Sequence, residues 1–450
     1  MIKELRVEHW KSFDRGTLYI DPVTILIGAN ASGKSNLLEA FVFLQRVGEG
    51  ADIDEAINGS RILPAIRGGT AAICRRGQAW FALDVVVGTD GMPDCRYRIK
   101  VWTDGLAVTA FEEELLRMDA TAGGEDKRLL WTERFGVGPA DDLSPKAIID
   151  PVLGPVEHHE HVRGQMLSVH WLSETGEARV MAGVGVSRSY LRLLPESASS
   201  PTFAPQERVF DIAPDVLEAT HQVRTALEGI FVFDPIPSRM RAPAALSTRL
   251  ELDGSNLAGV LAALGEAARE DLERHLIRHV SQLPERDLRR IWAQTIGVLG
   301  RDAMLYCTEG WNDASDPPID ARTMSDGTLR YIAIIAVMLL RPSGSLLVIE
   351  DVDTGLHPSR ASLLMNALRE LGKERGIDVL VTTHTPALLD AAGLGMLPFI
   401  MVAHRDSASG ASVLTPLEDI EQLPKLLAGG SLGQLVTAGD IQAAVAAGAP

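Results

Sequence analysis

The sequence predicts an α/β fold in which a mixed or parallel sheet with flanking helices is interrupted by a largely helical insertion. Near the start, the apolar strand "VTILI" runs through a glycine-rich turn into the helix-like stretch "SNLLEAFVFL". Near the end, "SLLVIED", "SRASLLMNALRELGKERG" and "DVLVTTH" alternate strand, helix and strand, which is the βαβ pattern of a parallel sheet. Between these regions the pattern is mostly helical.

The segments follow one another in four predicted parts, 1–103, 104–212, 213–310 and 311–450. The first part contains the glycine-rich turn and further strands, and the second is a mixed region of strands and loops. We expect the third to be a helical insertion, with helices opened by "APDVLEATHQV", "DGSNLAGVLAAL" and "PERDLRRIWAQTIGVL". The fourth returns to the parallel sheet.

Composition limits the class of protein. The chain has 450 residues, of which 46% are hydrophobic and 23% charged, as in a globular protein of two or three domains. The longest apolar run, 331–340, is too short to span a bilayer, and the first residues lack the apolar core of a signal peptide. Three widely spaced cysteines suit a reducing cytoplasm. A net charge of −17 argues against a coat of nucleic acid, although one basic groove stays compatible with it.

The glycine-rich turn "GANASGKS" fits the pattern G-x-x-x-x-G-K-[ST] through Gly28, Gly33, Lys34 and Ser35. Glycine at both ends lets successive N–H groups point inward and form a nest for anions, beside the positive end of the following helix. Lys34 would reach the β- and γ-phosphates of a nucleotide, and the Ser35 hydroxyl would bind Mg²⁺. Ala31 stands where glycine is commoner, which is tolerable if its φ is negative.

Two carboxylates, Glu350 and Asp351, end the apolar strand of "SLLVIEDVDTGLHP". In a phosphate-loop enzyme, one acid at such a sheet edge would hold the Mg²⁺ water shell and the next would orient the attacking water. A buried strand that merely ends in acids at a loop is the alternative. The phosphate loop elsewhere in the chain favours the nucleotide role.

Two shorter signals flank the acidic strand. Ser325 and Gly327, in "MSDGTLRYIAIIAVMLL", begin an apolar helix, where a hydroxyl and a glycine N–H can bind an anion. Ser325 can equally be an ordinary helix cap. His384 ends the strand "VLVTTH", and alone it is more often structural than catalytic.

The order and spacing of these four signals resemble the ABC-type P-loop ATPase head of the RecF, OLD and structural-maintenance-of-chromosomes (SMC) group. The resemblance is closest to the AAA-like ATPases of the OLD/RecF branch. It covers 1–70 and 320–390 well, is looser over 230–261 and at "GSLGQL", and is weak between 104 and 210.

The resemblance implies ATP and Mg²⁺ as cofactors and assigns roles to individual residues. The Walker A loop and its surroundings would bind the nucleotide through Gly28, Asn30, Gly33, Lys34, Ser35 and Asn36. Lys11 and Ser12, in the turn "HWKSF", are weaker candidates. In the catalytic and switch set, Glu350 matches the Mg²⁺-associated acid, Asp351 the hydrolytic acid, His384 the switch histidine, and Ser325 and Gly327 the signature loop. The segment "DVDTGLHP" matches the D-loop.

Two departures from the family pattern affect the predicted rate and site. The family usually ends its acidic strand in Asp-Glu or Glu-Glu, whereas this chain has Glu350-Asp351, and the shorter Asp would slow hydrolysis. The glutamine loop is also unclear, because "AIRGG" carries no glutamine at its expected place and Gln78 is a poor second candidate.

By resemblance, the chain would be an ATP-driven switch that pairs head to head with a second copy. Such proteins act in DNA transactions, often in bacterial defence against phage beside a separate nuclease or other effector. A RecF-like clamp for DNA repair is the alternative. A transporter ATPase fits less well because about 290 residues separate Ser35 from Ser325. A GTPase fits less well because the chain contains no N/T-K-x-D motif for guanine. In a GTPase or a small-molecule kinase, Ser325 would also have no function.

Two clusters carry less weight. His158, His159 and His161 lie close together, but no matching Cys/His cluster accompanies them. The arginines of "PERDLRR" (Arg286, Arg289 and Arg290) lie among almost as many acids, which favours a salt-bridged surface over a DNA groove.

Overall fold

A computed structural model describes residues 1–61, 63–89, 91–119, 125–135, 149–150, 154–155, 166–173, 176–182, 212–283, 288–309 and 318–447. The chain forms two compact units that are interleaved along the sequence. The first unit comprises Met1–Tyr19, Ser35–Ile230 and Ser407–Val413. The second comprises Ile20–Lys34, Phe231–Asp406 and Leu414–Pro450. The predicted division at 103, 212 and 310 stays a prediction.

Twenty strands lie within the described residues. They are β1 (Ile2–Glu8), β2 (Arg15–Tyr19), β3 (Val23–Ile27), β4 (Trp80–Val87), β5 (Cys95–Thr103), β6 (Val108–Arg117), β7 (Lys127–Phe135), β8 (Ile149–Asp150), β9 (Gly154–Pro155), β10 (Met166–Ser173), β11 (Gly176–Ala182), β12 (Ile230–Phe233), β13 (Ala244–Ala245), β14 (Leu288–Ile296), β15 (Asp302–Glu309), β16 (Ile319–Asp320), β17 (Leu346–Ile349), β18 (Asp378–Thr382), β19 (Ile400–Arg405) and β20 (Ser412–Pro416).

Thirteen α-helices accompany these strands in the part of the chain that the structure describes. They are α1 (Lys34–Gly48), α2 (Ile53–Asn58), α3 (Gly69–Ile73), α4 (Pro214–Glu228), α5 (Pro237–Met240), α6 (Leu257–Ala263), α7 (Glu266–Val280), α8 (Asp326–Leu340), α9 (Ala361–Arg375), α10 (Pro386–Ala392), α11 (Leu423–Leu427), α12 (Leu432–Ala438) and α13 (Asp440–Ala447). Short 3₁₀ turns cover Pro358–Arg360, Leu394–Phe399 and Leu417–Asp419.

The first unit is built on an antiparallel sheet of eight strands in the order β11-β10-β7-β6-β5-β4-β1-β2. Strand β5 alternates buried and half-buried residues along its whole length, as expected when one face of a sheet covers a core. Helix α4 packs against β5. Trp10, Phe43 and Phe81 form an aromatic cluster, with 4.9 Å between the rings of Trp10 and Phe81.

The second unit is built on a six-stranded sheet in the order β12-β17-β18-β3-β19-β20. Its central pairs, β17 with β18, β18 with β3 and β3 with β19, are all parallel. Strands β3, β17 and β18 are buried at every position, which is the pattern of a parallel sheet covered on both faces. Helices α8 and α9 contribute buried residues to the same core. The predicted α/β fold with a parallel sheet is confirmed.

The predicted helical insertion is confirmed only in part. The segments opened by "APDVLEATHQV" and "DGSNLAGVLAAL" form helices α4 and α6. The prediction of a helix from "PERDLRR" onward was wrong. There, residues 288–296 form β14, which pairs antiparallel with β15. The physical reason is a period of two: Ile291 and Ala293 are buried, while Trp292 between them stacks on Tyr306 across the strands.

The structure describes part of the arginine cluster of "PERDLRR" but none of the histidine cluster. The three histidines at 158, 159 and 161 and Arg286 lie outside the described residues. Arg290 lies within 4.0 Å of Glu273, and its guanidinium covers the ring of Trp292, as expected for a salt-bridged surface. Within the described residues, no helix is both long enough and apolar enough to cross a membrane.

Candidate functional site: one edge of the parallel sheet

Three strands of the second unit end side by side. Because β3, β17 and β18 run parallel, with Ile349 opposite Val381 and Thr382 opposite Leu26, their carboxyl ends open onto the same edge of the sheet. The segments that follow them carry the phosphate loop, the acidic pair and His384, respectively. Crevices at the carboxyl ends of parallel strands are where α/β proteins bind ligands. The fold therefore brings three of the four predicted motifs to one edge.

The phosphate loop has the backbone that its glycines predict. Gly28 has φ +152° and Gly33 has φ +112°, both in the region that favours glycine. A Cβ at Gly28 would lie 2.2 Å from the carbonyl oxygen of Ala403 and 2.7 Å from Ser32 Oγ. Ser32 is 3% exposed and its hydroxyl has no hydrogen-bond partner among the described residues. A cradle that contains an unpaired buried hydroxyl fits an anionic group such as a phosphate.

Ala31 does not meet the condition, a negative φ, under which alanine would be tolerable at this position. Its φ is +63°, in the left-handed region, where an alanine costs about 1–2 kcal/mol more than in the right-handed region. The strain arises because Ala31 takes the conformation of a glycine in a loop of fixed shape. The loop therefore needs support from outside its own sequence.

Lys34 closes the loop from inside. Its ammonium donates hydrogen bonds to the carbonyl oxygens of Gly28, at 2.6 Å, and Ala29, at 3.1 Å. Burial lowers the pKa of Lys34, and the negative charges of Asp351 and Glu350 oppose that shift. The cation is thus held among carbonyl oxygens, with two carboxylates near enough to influence its proton.

The residues after Lys34 begin helix α1. Ser35 and Asn36 are its second and third residues, and Asn30 lies in the loop before it. The Asn36 carbonyl accepts a hydrogen bond from Trp10 Nε1 at 2.6 Å, and its amide donates to Ser12 Oγ at 2.8 Å. The start of α1 is therefore tied to the turn after β1.

The turn that follows β17 contains Glu350 and Asp351 and is called the acidic turn below. The φ of Asp351 is +44°, and its backbone N–H donates to Thr382 Oγ1 at 2.7 Å. The Thr382 hydroxyl in turn donates to Asp351 Oδ1 at 3.3 Å, and His384 Nδ1 lies 3.4 Å from the same oxygen. The predicted hydrolytic acid and switch histidine are thus in contact. Sequence reasoning missed Thr382, although it precedes the histidine by only two residues.

Arg330 is a second residue that sequence reasoning missed. It lies on α8, is 5% exposed, and donates to the carbonyl oxygens of Pro235 at 2.6 Å, Glu350 at 2.9 Å and Asp351 at 3.0 Å. A buried guanidinium that binds the carbonyls of both acidic residues fixes the backbone of this turn. The signal in the sequence was one arginine within the apolar helix "TLRYIAIIAVMLL".

The predicted signature loop begins helix α8 as a helix cap. Ser325 Oγ accepts the N–H of Thr328 at 3.1 Å and donates to the Thr328 hydroxyl at 2.8 Å. A Cβ at Gly327 would lie 2.7 Å from the carbonyl oxygen of Gly355, so only glycine fits against the predicted D-loop. Arg241 holds the approach to the helix through the Met324 carbonyl, at 2.6 Å. The capping role is confirmed, and a role at a nucleotide stays a prediction.

The first-strand turn lies in the first unit. Lys11 has φ +50°, and its ammonium forms an ion pair with Glu39 and donates to the Arg67 carbonyl at 2.9 Å. Burial lowers the pKa of Lys11, and Glu39 opposes that shift. Ser12 Oγ accepts from the Asn36 amide and from the hydroxyl of Ser412. Lys11 and Ser12 thus have protein partners, and their contact with a nucleotide stays a prediction.

Magnesium binding together with a nucleotide stays a prediction. Within the described chain, no group of three or more His, Cys, Asp or Glu side chains is placed to hold a metal ion. Magnesium in phosphate-transfer sites is held by only one or two protein groups together with phosphate oxygens and water. Ser35 and Glu350 would provide such groups.

A family model matches the two segments that contain the motifs. Residues 23–100 and 265–390, a little under half of the chain, match the family described as "AAA domain, putative AbiEii toxin, Type IV TA system". The first segment includes the phosphate loop, and the second includes Ser325, the acidic pair and His384. The match supports a nucleotide-binding ATPase of the AAA type. No curated protein matches the chain.

Among solved structures, the chain is similar to heads of SMC proteins. An SMC head bound to the C-terminal winged-helix domain of ScpA is 12% identical, with a TM-score of 0.48 and coverage of 92% of this chain and 97% of that one. The Thermotoga maritima SMC head is 12% identical, with a TM-score of 0.38 and coverage of 92% of this chain and 98% of that one. The Pyrococcus furiosus SMC head bound to the C-terminal domain of ScpA is 11% identical, with a TM-score of 0.46 and coverage of 95% of this chain and 99% of that one. At these values the similarity carries no argument about activity.

The hydroxyl of Thr382 provides a test of the acidic turn. Thr382→Val keeps the side-chain shape but leaves the Asp351 N–H unpaired, so we expect about 1 kcal/mol lower stability. We expect ATP hydrolysis to fall at least about tenfold with nucleotide affinity retained, because displacement of a catalytic group is costly. Phosphate release and nucleotide titration measure the two effects.

The matched control for this test is Thr24→Val. Thr24 is also fully buried, on the neighbouring strand β3, but its hydroxyl binds Asp21 and not the acidic turn. Equal hydrolysis by the two variants would show that Thr382 does not position Asp351.

Proposed function

We propose that this protein is an ATPase that binds ATP with Mg²⁺, hydrolyses it slowly and uses it to switch between separate and paired heads. The observation that carries the ATPase proposal is the common sheet edge at which the phosphate loop, Asp351 and His384 meet. The family match includes the same residues and supports the proposal. ATP is favoured over GTP because the sequence contains no N/T-K-x-D motif for guanine.

Each group of the site has a defined task in this proposal. The loop from Gly28 to Ser35 binds the phosphates through its N–H groups, and Lys34 exchanges carbonyl partners for phosphate oxygens. Bound Mg²⁺, held by Ser35 and associated with Glu350, would neutralise phosphate charge. Asp351 would orient the attacking water and accept its proton, becoming neutral, and His384, beside Asp351, would stabilise the negative charge that the attacking oxygen brings to the γ-phosphate.

Slow turnover follows from the length of the Asp351 side chain. Compared with glutamate, its carboxylate is set back by one methylene, or about 1.5 Å. A misplacement of that size can lower a rate about a hundredfold. A slow hydrolase stays bound to ATP for most of its cycle, which suits a sensor or clamp that holds an effector.

The turnover of the wild-type protein tests this proposal. We expect a turnover well below about one ATP per second, which is slower than the range of about 1–100 per second for kinases. Asp351→Asn should abolish hydrolysis and keep ATP binding, whereas Asp351→Glu should hydrolyse faster than the wild type. Steady-state phosphate release with excess ATP measures the three rates, and nucleotide titration measures ATP binding by Asp351→Asn. Rapid turnover without a partner, or normal hydrolysis by Asp351→Asn, would show that Asp351 is not the hydrolytic acid.

Pairing of two heads is the second part of the proposal. Ser325 is exposed at the start of α8, where the helix dipole and the N–H groups of the first turn favour an anion. The ABC-type resemblance gives such a serine the γ-phosphate of a partner head. One chain would thus complete the nucleotide site of the other.

Ser325→Arg tests pairing. The arginine blocks approach of a second head, so we expect ATP affinity to be kept while hydrolysis and ATP-dependent dimerisation are lost. Nucleotide titration, phosphate release and sedimentation velocity measure the three properties. Thr248→Arg, at another exposed position of the second unit, is the control for added bulk and charge. If Ser325→Arg also lost ATP binding, the serine would act within its own chain or in folding.

We further propose a role in bacterial defence with a separate effector polypeptide such as a nuclease, in the cytoplasm. The family description names a toxin of a toxin–antitoxin system, which favours a second component, and the separate effector follows from the OLD/RecF resemblance. A RecF-like clamp for DNA repair is the alternative. Affinity purification of the Asp351→Asn variant from the native host, in the presence of ATP, distinguishes the two roles. A defence system predicts that a protein effector is purified with it. A repair clamp predicts that DNA is purified with it and is removed by added nuclease.

A further inference from the structure

Strand β19 forms a wall of the phosphate loop. It pairs parallel with β3, and Val402 lies opposite Ile27, the last residue before the loop. The next residue, Ala403, has its carbonyl oxygen 2.2 Å from the place of a Cβ at Gly28. The strand therefore requires glycine at the first position of the loop. It also continues past the loop to Arg405.

Arg405 binds the loop directly. Its Nε donates a hydrogen bond to the carbonyl oxygen of Ala31 at 2.8 Å, across 374 positions of the chain. Ala31 is the non-glycine residue of the loop with a left-handed backbone, at φ +63°. A side chain from a distant strand thus contacts the strained residue.

The hydrogen bond fixes the orientation of a peptide unit. In a planar trans peptide the C=O and the following N–H point in opposite directions. With the Ala31 carbonyl held by Arg405, the Ser32 N–H turns to the inner side of the turn, where it donates to the Ala29 carbonyl at 3.2 Å. Rotation of this peptide would change the nest that receives phosphate and move the buried Ser32 hydroxyl.

We propose that Arg405 is a positioning residue that holds the Ala31–Ser32 peptide, and with it the shape of the phosphate loop, before nucleotide arrives. The proposal rests on the proposed ATP binding and deepens it. Arg405 compensates for the alanine at position 31, because a glycine would hold the same φ without help. Its loss allows the loop to leave the binding conformation, so affinity falls, whereas the chemistry of ATP already bound changes little.

A double-mutant cycle with Mg²⁺–ADP and Mg²⁺–ATP tests this inference. The four proteins are the wild type, Arg405→Ala, Ala31→Gly and the double variant. We expect Arg405→Ala to weaken nucleotide affinity about fivefold in the alanine background and less than about twofold in the glycine background. The hydrolysis rate at saturating ATP should stay within about twofold of the wild type. Arg405→Lys, which retains a donor, should restore part of the affinity.

The outcomes separate this inference from the proposed function. Arg369→Ala, an exposed arginine of α9, is the control and should leave affinity unchanged. If Arg405→Ala lowers affinity equally in both backgrounds, Arg405 contacts the nucleotide itself and the positioning role is wrong. If it has no effect although the wild type binds nucleotide, only this inference is overturned. If the wild type binds no nucleotide, the proposed function fails and this inference with it.

Discussion

The hydrogen bonds that hold the backbone of the acidic turn are the constraint on which the candidate site depends. Asp351 has a left-handed backbone, which costs about 1–3 kcal/mol and persists only where surrounding contacts fix it. Thr382 binds its N–H from the neighbouring strand, and Arg330 binds its carbonyl from α8. Because the two partners belong to different elements, the direction of the Asp351 side chain is set by the packing of the whole parallel sheet.

Backbone strain is concentrated at the predicted nucleotide motifs. Among the described residues, the non-glycine residues with positive φ are His9, Lys11, Ala31 and Asp351. Two of them lie in the first-strand turn, one in the phosphate loop and one in the acidic turn. Each has a protein partner: the His9 N–H donates to the Asp14 carbonyl, Glu39 pairs with Lys11, Arg405 binds Ala31, and Thr382 binds Asp351. Strained backbone of this kind is concentrated at binding and catalytic sites in proteins.

Much of the second unit could be predicted from the sequence because its signals are local. Continuous apolar runs identify buried parallel strands, and the spacing of Gly28, Gly33 and Lys34 identifies an anion nest. The sequence did not reveal Arg330 or Arg405 as site residues, because each acts through contacts across many positions of the chain. Strand β14 was taken for a helix because its exposed arginines obscured the period of two.

Nucleotide binding by the wild type and by Lys34→Ala tests the central claim most directly. Lys34 is the cation inside the phosphate loop, so its loss leaves phosphate charge uncompensated in the nest. Isothermal titration with Mg²⁺–ATP should show binding by the wild type and by the control Lys425→Ala, which alters an exposed lysine of α11. It should show none by folded Lys34→Ala. Equal affinity of Lys34→Ala and the wild type, or no binding by any of the three, would contradict the assignment of this sheet edge as an ATP site.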